Sequence, residues 1–472
     1  VPAKYHIPVH RVPPRFPGLA RTTIMDWGEG CLRCVRCAKA ACPVEAYKKR
    51  DFDRRQFSDT IEEMCRDCYR CVQGCPRELV FKTLNPRYRQ LGDAYWTPEI
   101  VTVTWLQAES GKIPVSGAGY GGAFAGPGFD SLWTDMSEIV RPTRDGIHGR
   151  EYISTSINLG RQPMFLVFDE EKGDLLFEPP PLLELPLPLV LAEPPLGSDR
   201  PRLRQMLAQA AQTLGTLAIV ARDSINKELE GLAPPLLPSY TAGTLDLEDP
   251  LLPRVRIVEL LDHVGVLEQV EALKRRFPGL LVCIKVPGDG QAVARVAELT
   301  AAGAEVLHLY ADDQAQGLGE ARDLHLKDLI RGCHLRLVQE QMRDTVTLLV
   351  SGGIALAEHL AKAIICGADG VVVDIPLLLA LECRLCRQCR QEGPCPIDLK
   401  DLPVRQGAQR QVNLMGAWNN QLLEILGAMG MREVRRLRGE VGRALFKEDL
   451  EKEIFAPLFA QREPEALKRE PT

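Results

Sequence analysis

Twelve of the fifteen cysteines sit in three tight groups, and any fold this chain adopts must bring each group to a point. The first group is Cys31-x2-Cys34-x2-Cys37-x4-Cys42-Pro43 and the second is Cys65-x2-Cys68-x2-Cys71-x3-Cys75-Pro76. The third is Cys383-x2-Cys386-x2-Cys389-x5-Cys395-Pro396. The start, Val1-Pro2-Ala3-Lys4, lacks the apolar core of a secretory signal, so a reducing, cytoplasmic setting is expected and disulfides are disfavoured. Metal then accounts for the grouping. Two-residue gaps let three thiolates in one turn meet three corners of a cubane, while the remote cysteine reaches across. All twelve are candidate ligands of 4Fe-4S clusters, three in number. Structural zinc is the alternative reading, since it also takes four thiolates, although its sites are built from Cys-x2-Cys pairs rather than a triple followed by Cys-Pro. Cys283, Cys333 and Cys366 stand alone on apolar segments and read as core thiols.

A chain of 472 residues is long enough for two or three domains, one with a large core. The formal charge of -5 offers no general attraction to nucleic acid or an anionic membrane, and no apolar run is long enough to span one. Protein or small-molecule partners are expected. Residues 1–95 carry eight cysteines and little apolar periodicity, so metal would organise them. A glycine-rich linker region follows at 96–180, ending near Pro179-Pro180-Pro181. Over 181–382 short apolar runs alternate with amphipathic helical ones, the pattern of parallel strands and crossover helices. The expected fold class is α/β, a (β/α)8 TIM-type barrel with a small N-terminal α+β domain. Strands are expected at Leu217 to Ala221, Arg254 to Leu260, Leu280 to Val286, Glu305 to Tyr310, Thr345 to Val350 and Gly370 to Val373. Helices are expected at Gln291 to Ala302 and Leu356 to Cys366, closed by Gly303 and Gly367. Six or seven units can be counted, so closure of the barrel is an inference. The third cysteine segment occupies 383–400, and a helical tail, with a helix at Asn419 to Met429, fills 401–472.

The two N-terminal runs resemble those of bacterial two-cluster ferredoxins, whose pattern is Cys-x2-Cys-x2-Cys-x3-Cys-Pro. The resemblance implies crossed ligation: Cys31, Cys34, Cys37 and Cys75 on one cluster, Cys65, Cys68, Cys71 and Cys42 on the other. The first run has one extra residue before Cys42. The third group has four thiolates of its own and needs no help from elsewhere.

Barrels place phosphate sites after their last two strands, where bare amides and a helix N-terminus face the anion. Ser351, Gly352, Gly353 and Gly370 are therefore candidate cofactor-binding residues. Ser351-Gly352-Gly353-Ile354, Gly367-Ala368-Asp369-Gly370 and the leucine-rich Leu377 to Leu381 leading into the third cysteine group resemble the flavin domain of glutamate synthase. The likeness continues through Arg410 to Asn413, Gly427 to Gly430 and Gly439 to Arg443, and with the cysteine-rich N-terminus is similar to the short, archaeal-type form. It implies FMN, with Lys285 near the flavin pyrimidine edge, where its charge favours the reduced, anionic ring; a lysine snorkelling from a strand end is the plainer reading. The family's glycine-rich stretch reads here Asp312-Asp313-Gln314-Ala315-Gln316-Gly317-Leu318-Gly319, and its glycine-threonine phosphate loop reads Val373-Asp374-Ile375-Pro376. A carboxylate there would repel a phosphate. The resemblance implies an oxidoreductase moving electrons between clusters and a barrel-bound FMN, partnered by other redox subunits or ferredoxin. Two alternatives stand beside it: a flavin-less scaffold and wire, and a glutamate synthase large subunit fed with external ammonia, no glutaminase segment preceding the barrel.

Three further features read as structural. Arg141 to Arg150 is a polar loop, Gly117 to Gly122 a turn without flanking strand and helix, and Arg432, Arg435, Arg436 and Arg438 a solvated face with ion pairs.

Overall fold

The computed structural model describes residues 5–26, 30–47, 64–65, 67–113, 126–134, 153–163, 165–169, 172–177, 179–196, 201–391 and 395–459. The segments Arg141 to Arg150 and Gly117 to Gly122 lie outside the described residues.

Eight parallel strands close into a barrel: β1 (Leu189–Ala192), β2 (Ala218–Ala221), β3 (Leu236–Tyr240), β4 (Ile257–Leu261), β5 (Leu281–Pro287), β6 (Val306–Tyr310), β7 (Thr347–Ser351) and β8 (Gly370–Val373). The last strand pairs with the first, Val372 opposite Val190, which leaves no open edge. All six strands expected from sequence are present, and two were not singled out. Strand β1 follows Pro186 and Pro188, and β3 contains Pro238, residues that speak against a central strand because proline donates no ladder hydrogen bond.

The crossover helices show why this sequence stops where it does. Helix α1 (Pro98–Ser110) precedes the barrel; α2 (Pro201–Leu214), α3 (Lys227–Glu230), α4 (Val266–Arg276), α5 (Ala292–Ala301), α6 (Leu326–Gln339), α7 (Ala357–Cys366) and α8 (Ile375–Leu379) surround it. Helix α7 ends on Gly367 at φ 125°, a conformation open to glycine, and the Cβ of any larger residue would stand 2.3 Å from that of His334. Lys274, Arg275 and Arg276 in the last turn of α4 complement the negative end of its dipole. The tail helix α9 (Val404–Ala428) begins well before the expected Asn419, because residues from Gly407 to Asn419 are almost all buried, the helix packing on α1, α2 and α7.

Described parts of the region read as a linker pack into the core. Its strand Ile157–Leu159 pairs with Leu183–Leu185 beneath the barrel, and the Thr347 hydroxyl meets the Asn158 and Gly160 carbonyls, each at 3.1 Å. Helix α1 packs on α9. The chain before the first cysteine straps α9: Asn413 donates to the His10 carbonyl at 2.7 Å, and Arg410 to that of Val12 at 3.2 Å. Arg438, read as part of a solvated face with ion pairs, does form one, but with Asp369 at the barrel base, at 2.6 Å and mostly buried.

A separate N-terminal unit is built on an antiparallel pair, Thr22–Asp26 with Val80–Leu84. Its small core comprises Ile24, Ala46, Tyr47, Cys71 and Val80, with Cys37, Cys42, Cys65 and Cys75 packed against it, so one core holds cysteines of both runs. Among the described residues no helix is long and apolar enough to cross a membrane.

Trp96 is wholly buried above the barrel and donates its indole N–H to the Asp313 carbonyl at 2.7 Å. Trp96→Ala is expected to lower the unfolding free energy by roughly 3–5 kcal/mol, read from urea melts. An unchanged midpoint would mean that this segment is not docked on the barrel.

Candidate functional site

The three cysteine runs share a backbone conformation that their side chains disfavour. In each Cys-x2-Cys-x2-Cys stretch the same two positions are left-handed and none is glycine: Arg33 and Val35 at φ 54°, Asp67 and Tyr69 at 51° and 56°, Leu385 and Arg387 at 52° and 56°. After the two N-terminal Cys-Pro pairs, Glu45 and Glu78 repeat the feature at 55° and 54°. Left-handed backbone costs an L-residue about 1–2 kcal/mol, and β-branched Val35 is among the least suited to it. Strain repeated at fixed offsets from cysteine is retained where something over-determines it.

The effect is to aim amides at sulfur. Arg33 N lies 3.5 Å from Cys31 Sγ and Leu385 N 3.4 Å from Cys383 Sγ, the same offset in two separate runs. Ala46 N approaches Cys42 Sγ at 3.3 Å and Leu79 N approaches Cys75 Sγ at 3.4 Å. A thiolate accepts such bonds far better than a thiol does, and metal-bound cysteine is a thiolate. The donor set and backbone therefore fit a metal-thiolate centre in each group. In the third group all four cysteines line one narrow cleft, walled by Leu196, Leu378 and Ile397.

That third centre is tied to the mouth of the barrel. Trp105 donates to the Cys383 carbonyl at 3.2 Å, and Gly92 N to that of Arg384 at 3.0 Å. Arg387, one of the left-handed residues between cysteines, pairs with Asp93 at 2.6 Å and with Asp313 of the loop after β6 at 2.7 Å. The Asp93 to Trp96 turn thus touches the third cysteine loop on one side. On the other, the Tyr95 hydroxyl donates to the Gly353 carbonyl at 2.5 Å.

Inside the barrel lies a polar chain that sequence reasoning missed. Glu259 on β4 accepts from Ser239 of β3 at 2.8 Å and from His308 Nδ1 of β6 at 2.6 Å, a contact across β5 that is possible within the barrel. His308 Nε2 meets the Ser351 hydroxyl at 2.8 Å. Burial alone would push the Glu259 carboxyl up, but His308, Lys285 and the Ser239 hydroxyl hold it down to about 2. Burial lowers His308 below its usual range against the pull of Glu259, so the ring is neutral, donating from Nδ1 and accepting from Ser351 at Nε2. Lys285 stands at the outer end, its ammonium 3.9 Å from Glu259, 5.0 Å over the Tyr310 ring and its side chain 30 % exposed. A glutamate and a histidine at inward positions of otherwise apolar strands were the signal available in the sequence.

The other candidate residues separate. Ser351 turns its hydroxyl inward to His308. Gly352 and Gly353 take φ of 103° and 65° because the turn after β6 lies against them; a Cβ on either would stand 2.6 Å or less from Asp312 or Ala315 backbone. Gly370 is corrected: it opens β8 at the base of the barrel, packed on Ile157 and the Pro188 carbonyl, at the opposite end from the loops that follow the strands. At the phosphate position after β8, Asp374 accepts from Ile375 N at 2.6 Å at the start of α8. Burial, with Asp313 nearby, raises its carboxyl to about 6. Cys283, Cys333 and Cys366 are buried, as expected of core thiols, and burial raises all three, the last two to about 12.

The architecture defines a (β/α)8-barrel protein with three cysteine groups, one of them bonded to the barrel mouth. The model of the conserved region in glutamate synthase matches residues 328–432. The archaeal-type glutamate synthase [NADPH] of Dehalococcoides mccartyi is 25% identical over 470 residues, 87% of this chain and 92% of the relative. The archaeal glutamate synthase [NADPH] of Archaeoglobus fulgidus is 25% identical over 492 residues, 90% and 94% of the two chains. Among solved structures, a flavocytochrome b2 mutant with pyruvate bound aligns with 67% of this chain and 76% of its own, at TM-score 0.42 and 13% identity. Over nearly its whole length the chain is thus similar to glutamate synthases of the short archaeal-type form.

Arg33→Gly is expected to preserve the metal content, since glycine accepts the left-handed angle. Arg33→Pro fixes φ near −65° and removes the amide facing Cys31; part of the bound metal should be lost. Equal metal content in both variants would show that the conformation at Arg33 does not serve a metal centre.

Proposed function

We propose that the chain is an iron-sulfur flavoprotein oxidoreductase that moves electrons between three 4Fe-4S clusters and an FMN at the barrel mouth, inside a larger redox complex. The observation that carries this reading is the left-handed backbone recurring at the same offsets in all three cysteine runs. On this reading Cys31, Cys34, Cys37 and Cys75 hold one cluster and Cys65, Cys68, Cys71 and Cys42 a second. Cys383, Cys386, Cys389 and Cys395 hold the third. Relatives along nearly the whole chain carry NADPH in their names, which supports redox chemistry and electron-exchanging partners.

The flavin end and the phosphate end of the mouth differ in fit. Lys285 faces the mouth with Glu259 behind it, so a positive charge is held where an anionic flavin ring would need one. A flavin bound there supplies the exchange between paired and single electrons. Arg387 and the Asp93 to Trp96 turn connect that mouth to the third cysteine loop, making the third centre the neighbour of the barrel site.

At the phosphate end, Asp374 stands in place of the family's glycine-threonine pair. As a carboxylate, Asp374 repels a phosphate; protonated, it donates to one. FMN affinity should therefore fall as pH rises through about 6. The second ionisation of the phosphate lies in the same range, so the diagnostic is the difference between the parent and Asp374→Asn, which keeps a capping side chain. The variant should bind FMN more tightly above that pH and lose part of the dependence; identical profiles would exclude Asp374 from the site.

Asp374 also favours a second reading, a barrel without flavin that serves as scaffold and wire. Anaerobic purification with iron, zinc and released-flavin quantification separates the two. About twelve irons and one FMN per chain support the flavoenzyme. The same iron without flavin favours the scaffold, and zinc in place of iron overturns both. Glutamate formed from 2-oxoglutarate, ammonia and reduced ferredoxin would make this chain the synthase itself.

A further inference from the structure

One cysteine of the N-terminal unit has a neighbour that the amide pattern does not provide. Lys82 lies on the strand Val80–Leu84, opposite Ile24, and its side chain is 1 % exposed. Its ammonium is 3.0 Å from Cys65 Sγ and 3.1 Å from Asp67 Oδ1, and 4.8 Å over the Tyr69 ring. Asp67 in turn accepts from the Thr22 hydroxyl and lies 3.7 Å from Cys65 Sγ. A buried ammonium is costly unless paired, and these partners compensate it.

We propose that Lys82 is a tuning residue that raises the reduction potential of the centre held by Cys65, making it an electron-accepting member of the N-terminal pair. The inference rests on the iron-sulfur reading above. Reduction adds one electron, taken from an external one-electron donor, and neither makes nor breaks a bond. The added negative charge is spread over the ligand sulfurs, and a hydrogen-bonded ammonium at one of them stabilises the reduced state more than the oxidised one. Hydrogen bonds to sulfur and local charge are the levers by which a protein sets such potentials. Asp67 works against the effect: its carboxylate offsets part of the ammonium charge, so the pair acts on Cys65 as a dipole with its positive end toward sulfur. Shielding from water strengthens both contributions.

The test is a dithionite titration of the full, iron-loaded chain followed by low-temperature electron paramagnetic resonance, with iron measured on every sample. Lys82→Met should lower the reduction equilibrium constant of one centre about tenfold or more, about 59 mV for a one-electron couple. The others should stay in place. Lys82→Gln, which keeps a donor without the charge, should fall between the two. Asp67→Asn, which leaves the ammonium less compensated, should shift the same centre the opposite way. That reversal keeps the test decisive if Lys82→Met does not fold. Iron-loaded variants with unshifted potentials would overturn the inference alone, whereas iron-free protein would overturn the cluster reading and the inference with it.

Discussion

Three times in this chain a cysteine run holds left-handed backbone at the same two offsets, and in the third run much of the surrounding structure grips the loop that carries it. That loop is held by a backbone bond from Gly92 and by Trp105, and Arg15 of the N-terminal strap clasps Glu382 just before Cys383. Arg387 anchors the loop interior to Asp93 and Asp313. These partners come from both ends of the sequence, so the strap, α1 and α9 form one support around a loop that has few apolar side chains of its own. Among its described residues the N-terminal unit has a core of only a few side chains, the size at which small domains rely on a staple such as a metal.

The barrel interior is governed by a different constraint, a buried carboxylate. Glu259 is completely enclosed, and an ion so placed needs full compensation. Ser239 and the neutral His308 supply hydrogen bonds and Lys285 supplies charge, which places the lysine at the barrel mouth rather than free in solvent. The position of Lys285 therefore follows from residues deeper in the barrel. Ser351 belongs to the same chain through His308, which explains why its hydroxyl turns inward although its sequence context resembles a phosphate loop.

The grouping of the cysteines was legible because spacing is local: the runs are short, and their shared backbone conformation follows from a few dihedral angles. The barrel was legible through its apolar runs, except where proline hid β1 and β3. What the sequence concealed depends on chain ends meeting. Nothing in Tyr95, Trp96 or Arg387 as letters says that they join the third cysteine loop to the mouth, and nothing in the 96–180 region says that its strand closes the barrel base. Gly370 misled for a related reason. A glycine in the segment before a strand looks like part of a phosphate loop until the strand direction is known, and here it lies at the end where the strand enters. Lys82 was overlooked because it is distant in sequence from Cys65, while the two-stranded pairing brings it to the sulfur.

X-ray absorption at the iron and zinc edges of the anaerobically purified chain tests the central claim, that these cysteine groups hold iron-sulfur clusters. The account predicts an iron spectrum with sulfur neighbours and a second shell of iron, as in a cubane. A zinc spectrum with four sulfurs at about 2.3 Å and no metal neighbour would contradict it.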